Sequence, residues 1–148
     1  MRKSFFLLLS GVLFTACGST PPENLGIREG KFSPCPDSPN CVSSYASPED
    51  ERHFIAPLAY SGSREDARRK LLDILSAYGS RAVTVTQAGD DYIRAEFRTP
   101  LLRFTDDVEF YLPADSRVIH LRSASRVGYS DMGANRKRIE GLRSDFEK

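Results

Sequence analysis

The chain reads as an α+β domain, a two-layer sandwich in which an antiparallel meander of four to five strands carries two helices packed on one face. Three observations predict it. Between Arg81 and Val127, four runs alternate apolar and polar residues and are joined by short turns, and short turns join antiparallel neighbours only. Two further stretches, one after Ser63 and one near the end of the chain, repeat apolar residues at helical spacing. Each strand offers a single apolar face, so the helices must cover that face.

In chain order, residues 1–16 read as a secretory signal. Arg2 and Lys3 precede an apolar run from Phe5 to Phe14, interrupted by Ser10 and Gly11, and the run ends in Thr15-Ala16-Cys17. It is too short to span a bilayer. A cysteine directly after Thr15-Ala16 resembles a bacterial lipobox, with Phe14 where leucine is usual. The resemblance implies that Cys17 becomes the acylated first residue and holds the protein on a membrane. Gly18 is not the aspartate that retains enterobacterial lipoproteins at the inner membrane, which points to the periplasmic face of the outer membrane. Residues 17–34, with Pro21, Pro22, Gly26 and Gly30 and no apolar period, read as the lipidated cysteine and a flexible tether of at most about 55–60 Å. Residues 35–148 read as one domain.

Removal of residues 1–16 leaves 132 of the 148 residues and moves the formal charge from +1 to −1. A near-neutral domain without a Lys/Arg block has no field to gather nucleic acid. Cys35 and Cys41 remain after Cys17 is set aside, in Pro34-Cys35-Pro36-Asp37-Ser38-Pro39-Asn40-Cys41. An even pair at short spacing in an exported chain reads first as a disulfide, whose loop closure contributes about 2.4 kcal/mol. Two other readings compete, half a thiolate metal site or a reactive thiol; a metal site would need further ligands, and only His53 is near in sequence. No metal and no cofactor is expected.

Ile55 to Tyr60 reads as a short strand that Pro57 confines to an edge. Ser63 caps a helix in which Ala67, Leu71, Ile74, Leu75 and Tyr78 share a face, with Gly79 at its end. Strands follow at Arg81–Gln87, Tyr92–Arg98, Phe104–Leu112 and Arg117–Val127, the first two joined by Gly89-Asp90-Asp91. Ile93, Ala95 and Phe97, then Phe104, Val108, Phe110 and Leu112, then Ile119, Leu121 and Val127, point inward. A helix from Met132 to Glu147, capped by Ser130 or Asp131, buries Asn135, Ile139, Leu142 and Phe146.

Two constellations could carry chemistry. The polar strand faces collect Arg94, Glu96, Arg98, Asp107, Glu109, His120, Arg122 and Arg126. They read either as a solvent-facing sheet with cross-strand pairs, each worth a few tenths of a kcal/mol, or as a groove for a charged ligand. Asp106 falls on the inward parity, where a carboxylate requires a donor. The second constellation is the strand-to-helix junction from Arg122 to Arg136. A helix start exposes unpaired N–H groups that can hold an anion, with Arg122, Arg126 and Arg136 beside them and Asp106 as the nearest counter-charge. Alternatively Asp106, Ser123, Ser125 and Asn135 satisfy one another as a structural network. For nucleophilic catalysis the candidates are Ser43 or Ser44 with His53 or His120, but no Gly-x-Ser-x-Gly elbow exists.

Cys35-Pro36-Asp37-Ser38-Pro39-Asn40-Cys41-Val42-Ser43-Ser44 resembles the opening signature of the bacterial domain-of-unknown-function family 1499. Phe104-Thr105-Asp106-Asp107-Val108-Glu109-Phe110 and the stretch from Arg122 to Glu140 are similar to its later signatures. The resemblance implies an exported or membrane-associated protein with no assigned reaction. It singles out Asp106, Asp107, Arg122, Ser123, Ser125, Arg126, Asp131, Asn135 and Arg136. The expectation is a non-enzymatic envelope lipoprotein that binds an envelope protein or an anionic small molecule at the junction. The alternative is a hydrolase or transferase acting on an envelope component.

Overall fold

The computed structural model describes residues 20–100 and 103–148. The signal segment and Cys17 lie outside the described residues. The elements are β1 (Cys41–Ser43), β2 (Leu58–Ala59), α1 (Arg64–Ala77), β3 (Val83–Ala88), β4 (Tyr92–Arg98), β5 (Thr105–Tyr111), β6 (Val118–Ser125) and α2 (Ala134–Phe146).

The result is an α+β sandwich with an antiparallel sheet in the order β1-β6-β5-β4-β3, while β2 pairs with the start of β6. Six strands form instead of four or five. The addition is β1, a three-residue strand that begins at the second loop cysteine and pairs Cys41–Ser43 with Ala124–Arg122. Three residues are too few for alternation to show. The segment with Pro57 does lie at an edge: β2, two residues long, is off the main strand path and pairs with β6.

Ser63 caps α1 as its sequence requires, its Oγ accepting from the Asp66 N–H at 3.0 Å. Ala67, Leu71 and Leu75 are buried, each leucine contributing about 1.5–3 kcal/mol. They pack with Ile93, Ala95, Val108, Phe110, Ile119 and Leu121 from the sheet and Ile139, Leu142 and Phe146 from α2 in one core. Both helices therefore cover the same sheet face. Helix α2 starts at Ala134, after Gly133 in the left-handed region at φ 77°. Asp131 supplies the cap from three residues before, taking the N–H groups of Gly133 (2.9 Å) and Asn135 (2.7 Å). Phe104, expected inward, is 47% exposed because β5 begins one residue later.

The segment expected as a tether is in large part a piece of the domain. Gly26 N–H donates to Glu109 Oε1 at 2.7 Å. Arg28 and Lys31 form an isolated bridge, Phe32 is buried, and the Tyr45 hydroxyl donates to Gly30 O. The segment leaves Pro22 beside the end of β6, crosses the sheet face opposite the helices, and returns to Cys35. Its prolines and glycines hide this from a composition reading, because its anchor points are single residues without a period.

Candidate functional site

Register sorts the junction residues onto two sides of the sheet. Phe97, Asp106 and Ser125 stand opposite one another and face the helices, as do Ala95, Val108 and Ser123. Glu96 and Asp107, and Arg94, Glu109 and Arg122, face the other way. A single convergent site made of all the predicted residues is thereby corrected: neighbours in a strand point to opposite faces.

On the helix side the polar groups satisfy one another. Asp106 is paired with Arg138 of α2. Arg138 also donates to Asn135 Oδ1 (2.6 Å) and Ser123 Oγ (3.1 Å), and Ser123 Oγ donates to Asn135 Oδ1. Asn135 Nδ2 faces Ser125 Oγ (3.0 Å), Asn40 O (3.0 Å) and Asp131 Oδ2 (2.8 Å). The Asn40 amide reaches on to Gly128 O at 2.6 Å. Asp106, Ser123, Ser125, Asp131 and Asn135 thus form a connected structural network binding α2 to β5 and β6. Arg136 stands apart and donates to the carbonyls of Glu51 and Arg52, both at 3.1 Å.

The donor to Asp106 is Arg138, rather than Arg122, Arg126 or Arg136 as the sequence suggested. A signal for it exists. Arg138 sits three residues after Asn135 and next to Ile139, on the edge of the inner stripe, where an inward arginine can meet an inward aspartate.

The opposite face is charged and buried rather than solvent-facing. Arg126 grips Asp107 with two hydrogen bonds, Nε to Oδ2 at 2.7 Å and a terminal nitrogen to Oδ1 at 2.8 Å, and also reaches Glu96 Oε1. These carboxylates hold the Arg126 guanidinium firmly protonated, Asp107 contributing most, with its pKa raised above the usual arginine value. Arg94 bonds both Asp107 and Glu96, and Arg98 reaches Glu96. Arg122 pairs with Glu109 at 3.2 Å. Glu109 is fully buried and accepts from the Tyr92 hydroxyl at 2.8 Å as well as from Gly26. Burial first, then the Glu109 carboxylate, raises the Tyr92 phenol far above its ordinary pKa. Sequence reading placed these charges on one face but missed their burial, because the cover comes from residues 22–36.

Between that cover and the sheet lies a cleft of about 320 Å³, lined by Pro22, Asn24, Cys35, Asp107, Arg122 and Arg126 among others. One buried donor here has no acceptor among the described residues: Arg122 Nε, on a side chain 4% exposed. A buried donor left without a partner costs about 1–3 kcal/mol.

The catalytic candidates separate. Ser44 Oγ lies 3.0 Å from His120 Nδ1 and accepts from the Leu121 N–H at 3.0 Å. His120 stacks on Tyr45 at 4.1 Å, and burial lowers its pKa. Ser43 Oγ accepts from the Tyr45 N–H, and His53 pairs with Asp50 at 2.7 Å. The structure therefore joins Ser44 to His120, while Ser43 meets His53 only through the backbone, its N–H donating to His53 O at 2.8 Å, and no hydrogen bond between its hydroxyl and a histidine ring is found among the described residues. The Cys35 and Cys41 sulfurs sit at bonding distance, with Cα atoms 5.6 Å apart. No group of three His, Cys, Asp or Glu residues among the described ones could hold a metal ion. No helix among the described residues is long and apolar enough to cross a membrane.

Fold and polar faces together define a small α+β domain with a charged, lidded sheet face. Residues 31–146 match the model of the family described as protein of unknown function (DUF1499), and the chain belongs to that family. No curated protein and no solved structure matches the chain.

Proposed function

We infer that the protein is a lipid-anchored cell-envelope binding module, held by Cys17 at the periplasmic face of a bacterial outer membrane, which takes an anionic group into the cleft over the charged sheet face. The observation that carries the binding site is Arg122: a buried guanidinium whose Nε has no acceptor among the described residues and whose side chain lines the cleft. Four arginines (Arg94, Arg98, Arg122, Arg126) face three carboxylates (Glu96, Asp107, Glu109) there, so the balance is positive by one and favours an anion. The binding residues are Arg122 and Arg126, with Asp107 holding Arg126 in place, while the junction itself serves as structure.

Thermal melts of the soluble Cys17→Ser form in phosphate or sulfate test the site. Either ion should raise the Tm of the wild-type domain. Arg122→Lys, which keeps a cation for Glu109 but removes the Nε donor, should fold and lose that response. A wild type indifferent to both ions refutes it. The anchor has its own test: Cys17→Ser should abolish labelling by a fatty-acid analogue and release the protein from membranes. Retained labelling would show the assignment to be wrong.

A second reading, a hydrolase or transferase, draws on the Ser44–His120 pair. A neutral imidazole at that distance can take the serine proton. The contacts of His120 include no orienting carboxylate among the described residues, and this favours the binding reading. Labelling of Ser44 by a fluorophosphonate, absent in Ser44→Ala, would reverse the order.

A further inference from the structure

The two loops at one end of the sheet carry exposed apolar side chains. Phe104, just before β5, is 47% exposed; Tyr129 and Met132, between β6 and α2, are 72% and 90% exposed. The two loops adjoin, because Arg126 N–H donates to Thr105 O at 3.2 Å. Single exposed apolar residues are ordinary, but three on two adjoining loops make this end a candidate contact surface.

The same end is where the chain leaves toward its N-terminus. Pro22 lines the cleft with Ser125 and Arg126, the last residue of β6 and the one after it. Thr20 is the first described residue, and Cys17 is three peptide units further, at most about 11 Å away. An acylated Cys17 would therefore hold the domain close to the bilayer through the segment that enters beside this end. The chemistry of the surface suits that position. Tyrosine and phenylalanine settle at the membrane–water boundary, and exposed Arg103, with half-exposed Arg98 behind it, can meet anionic headgroups.

We propose that Phe104, Tyr129 and Met132 form a membrane-docking tip that seats this end of the sheet in the bilayer interface. The proposal rests on the lipid-anchor reading above. It makes the protein an oriented module whose cleft opens close to the headgroups, and dispenses with a long mobile tether.

The chain contains no tryptophan, so a single introduced one reports its own surroundings. The full lipidated protein would be reconstituted into phosphatidylethanolamine–phosphatidylglycerol vesicles as Tyr129→Trp, and separately as Asp90→Trp in the exposed β3–β4 turn at the other end. Emission of the Tyr129→Trp protein should shift to the blue and be quenched several-fold more by lipids brominated along the acyl chain than that of Asp90→Trp. Equal, weak quenching of both, with acyl chains confirmed by mass spectrometry and vesicle flotation intact, overturns the docking and leaves the anchor standing. A blue shift without bromine quenching also overturns it, since a protein partner would then be covering the tip. A mass without acyl chains overturns the anchor, and the docking with it.

Discussion

Asp106 of β5 and Arg138 of α2 form an ion pair across the helix–sheet interface, with only 4% and 12% of their side-chain surfaces exposed. Arg138 completes the pair while also bonding Ser123 and Asn135, so one side chain fastens three elements of the junction. Its removal leaves a buried carboxylate without a cation. Arg138→Met should lower stability in urea melts by about 3–5 kcal/mol. The double change with Asp106→Leu should recover much of that loss, because two apolar groups replace a broken pair. An Arg138→Met melt within about 1 kcal/mol of wild type, the size of a surface substitution, would refute the structural role.

Arg126 gives the corresponding test on the other face. Among the described residues, Arg126→Ala leaves Asp107, 1% exposed, with Arg94 as its one charged partner, and Glu96 with Arg94 and Arg98. The expected loss is about 2–4 kcal/mol, read by denaturant melts. An unchanged melt would mean that the guanidinium is held there for a ligand alone.

Phe32 tests the lid. It is buried and meets Tyr45 edge-on at 5.6 Å, inside a stretch that composition alone assigns to a tether. Phe32→Ala should cost about 3 kcal/mol. A flexible tether would lose nothing.

His120 sets an acid limb of stability. Burial lowers its pKa in the folded state, so between the unfolded value of about 6.5 and the lower folded value the unfolded chain binds more protons. Stability from this group is therefore present above about pH 6.5 and is lost as pH falls through that window. Wild type should weaken between about pH 8 and pH 5 more than His120→Asn does, in paired urea melts. Identical pH slopes would remove His120 as the cause.

The elements with a period were legible in the chain. β4 falls on Tyr92–Arg98 as expected, and α1 starts at its Ser63 cap. The inner stripe of α2, Asn135, Ile139, Leu142 and Phe146, is buried throughout. What stayed hidden was set by tertiary contact. β1 is too short to alternate, and the lid binds through isolated points such as Gly26 and Phe32. Parity correctly placed Asp106 inward and Asp107 outward, yet could not say that both sides would be covered. Arg138 was missed because a single arginine on the flank of an apolar stripe reads as solvated until a facing carboxylate is known.

β6 touches β1, β2 and β5, partners drawn from both ends of the chain, and this fixes an order of assembly. A polypeptide emerging N-terminus first holds β1, β2 and the lid without their β6 and Glu109 partners until residue 125 follows. Among the described residues the helices and the β3–β4–β5–β6 meander are built from neighbours in sequence, and long-range closures such as β1 and β2 onto β6 come late. In pulse-labelled exchange the meander amides should gain protection before those of β1 and Gly26. Those late groups would be open to chaperones and proteases for as long as the last quarter of the chain is missing.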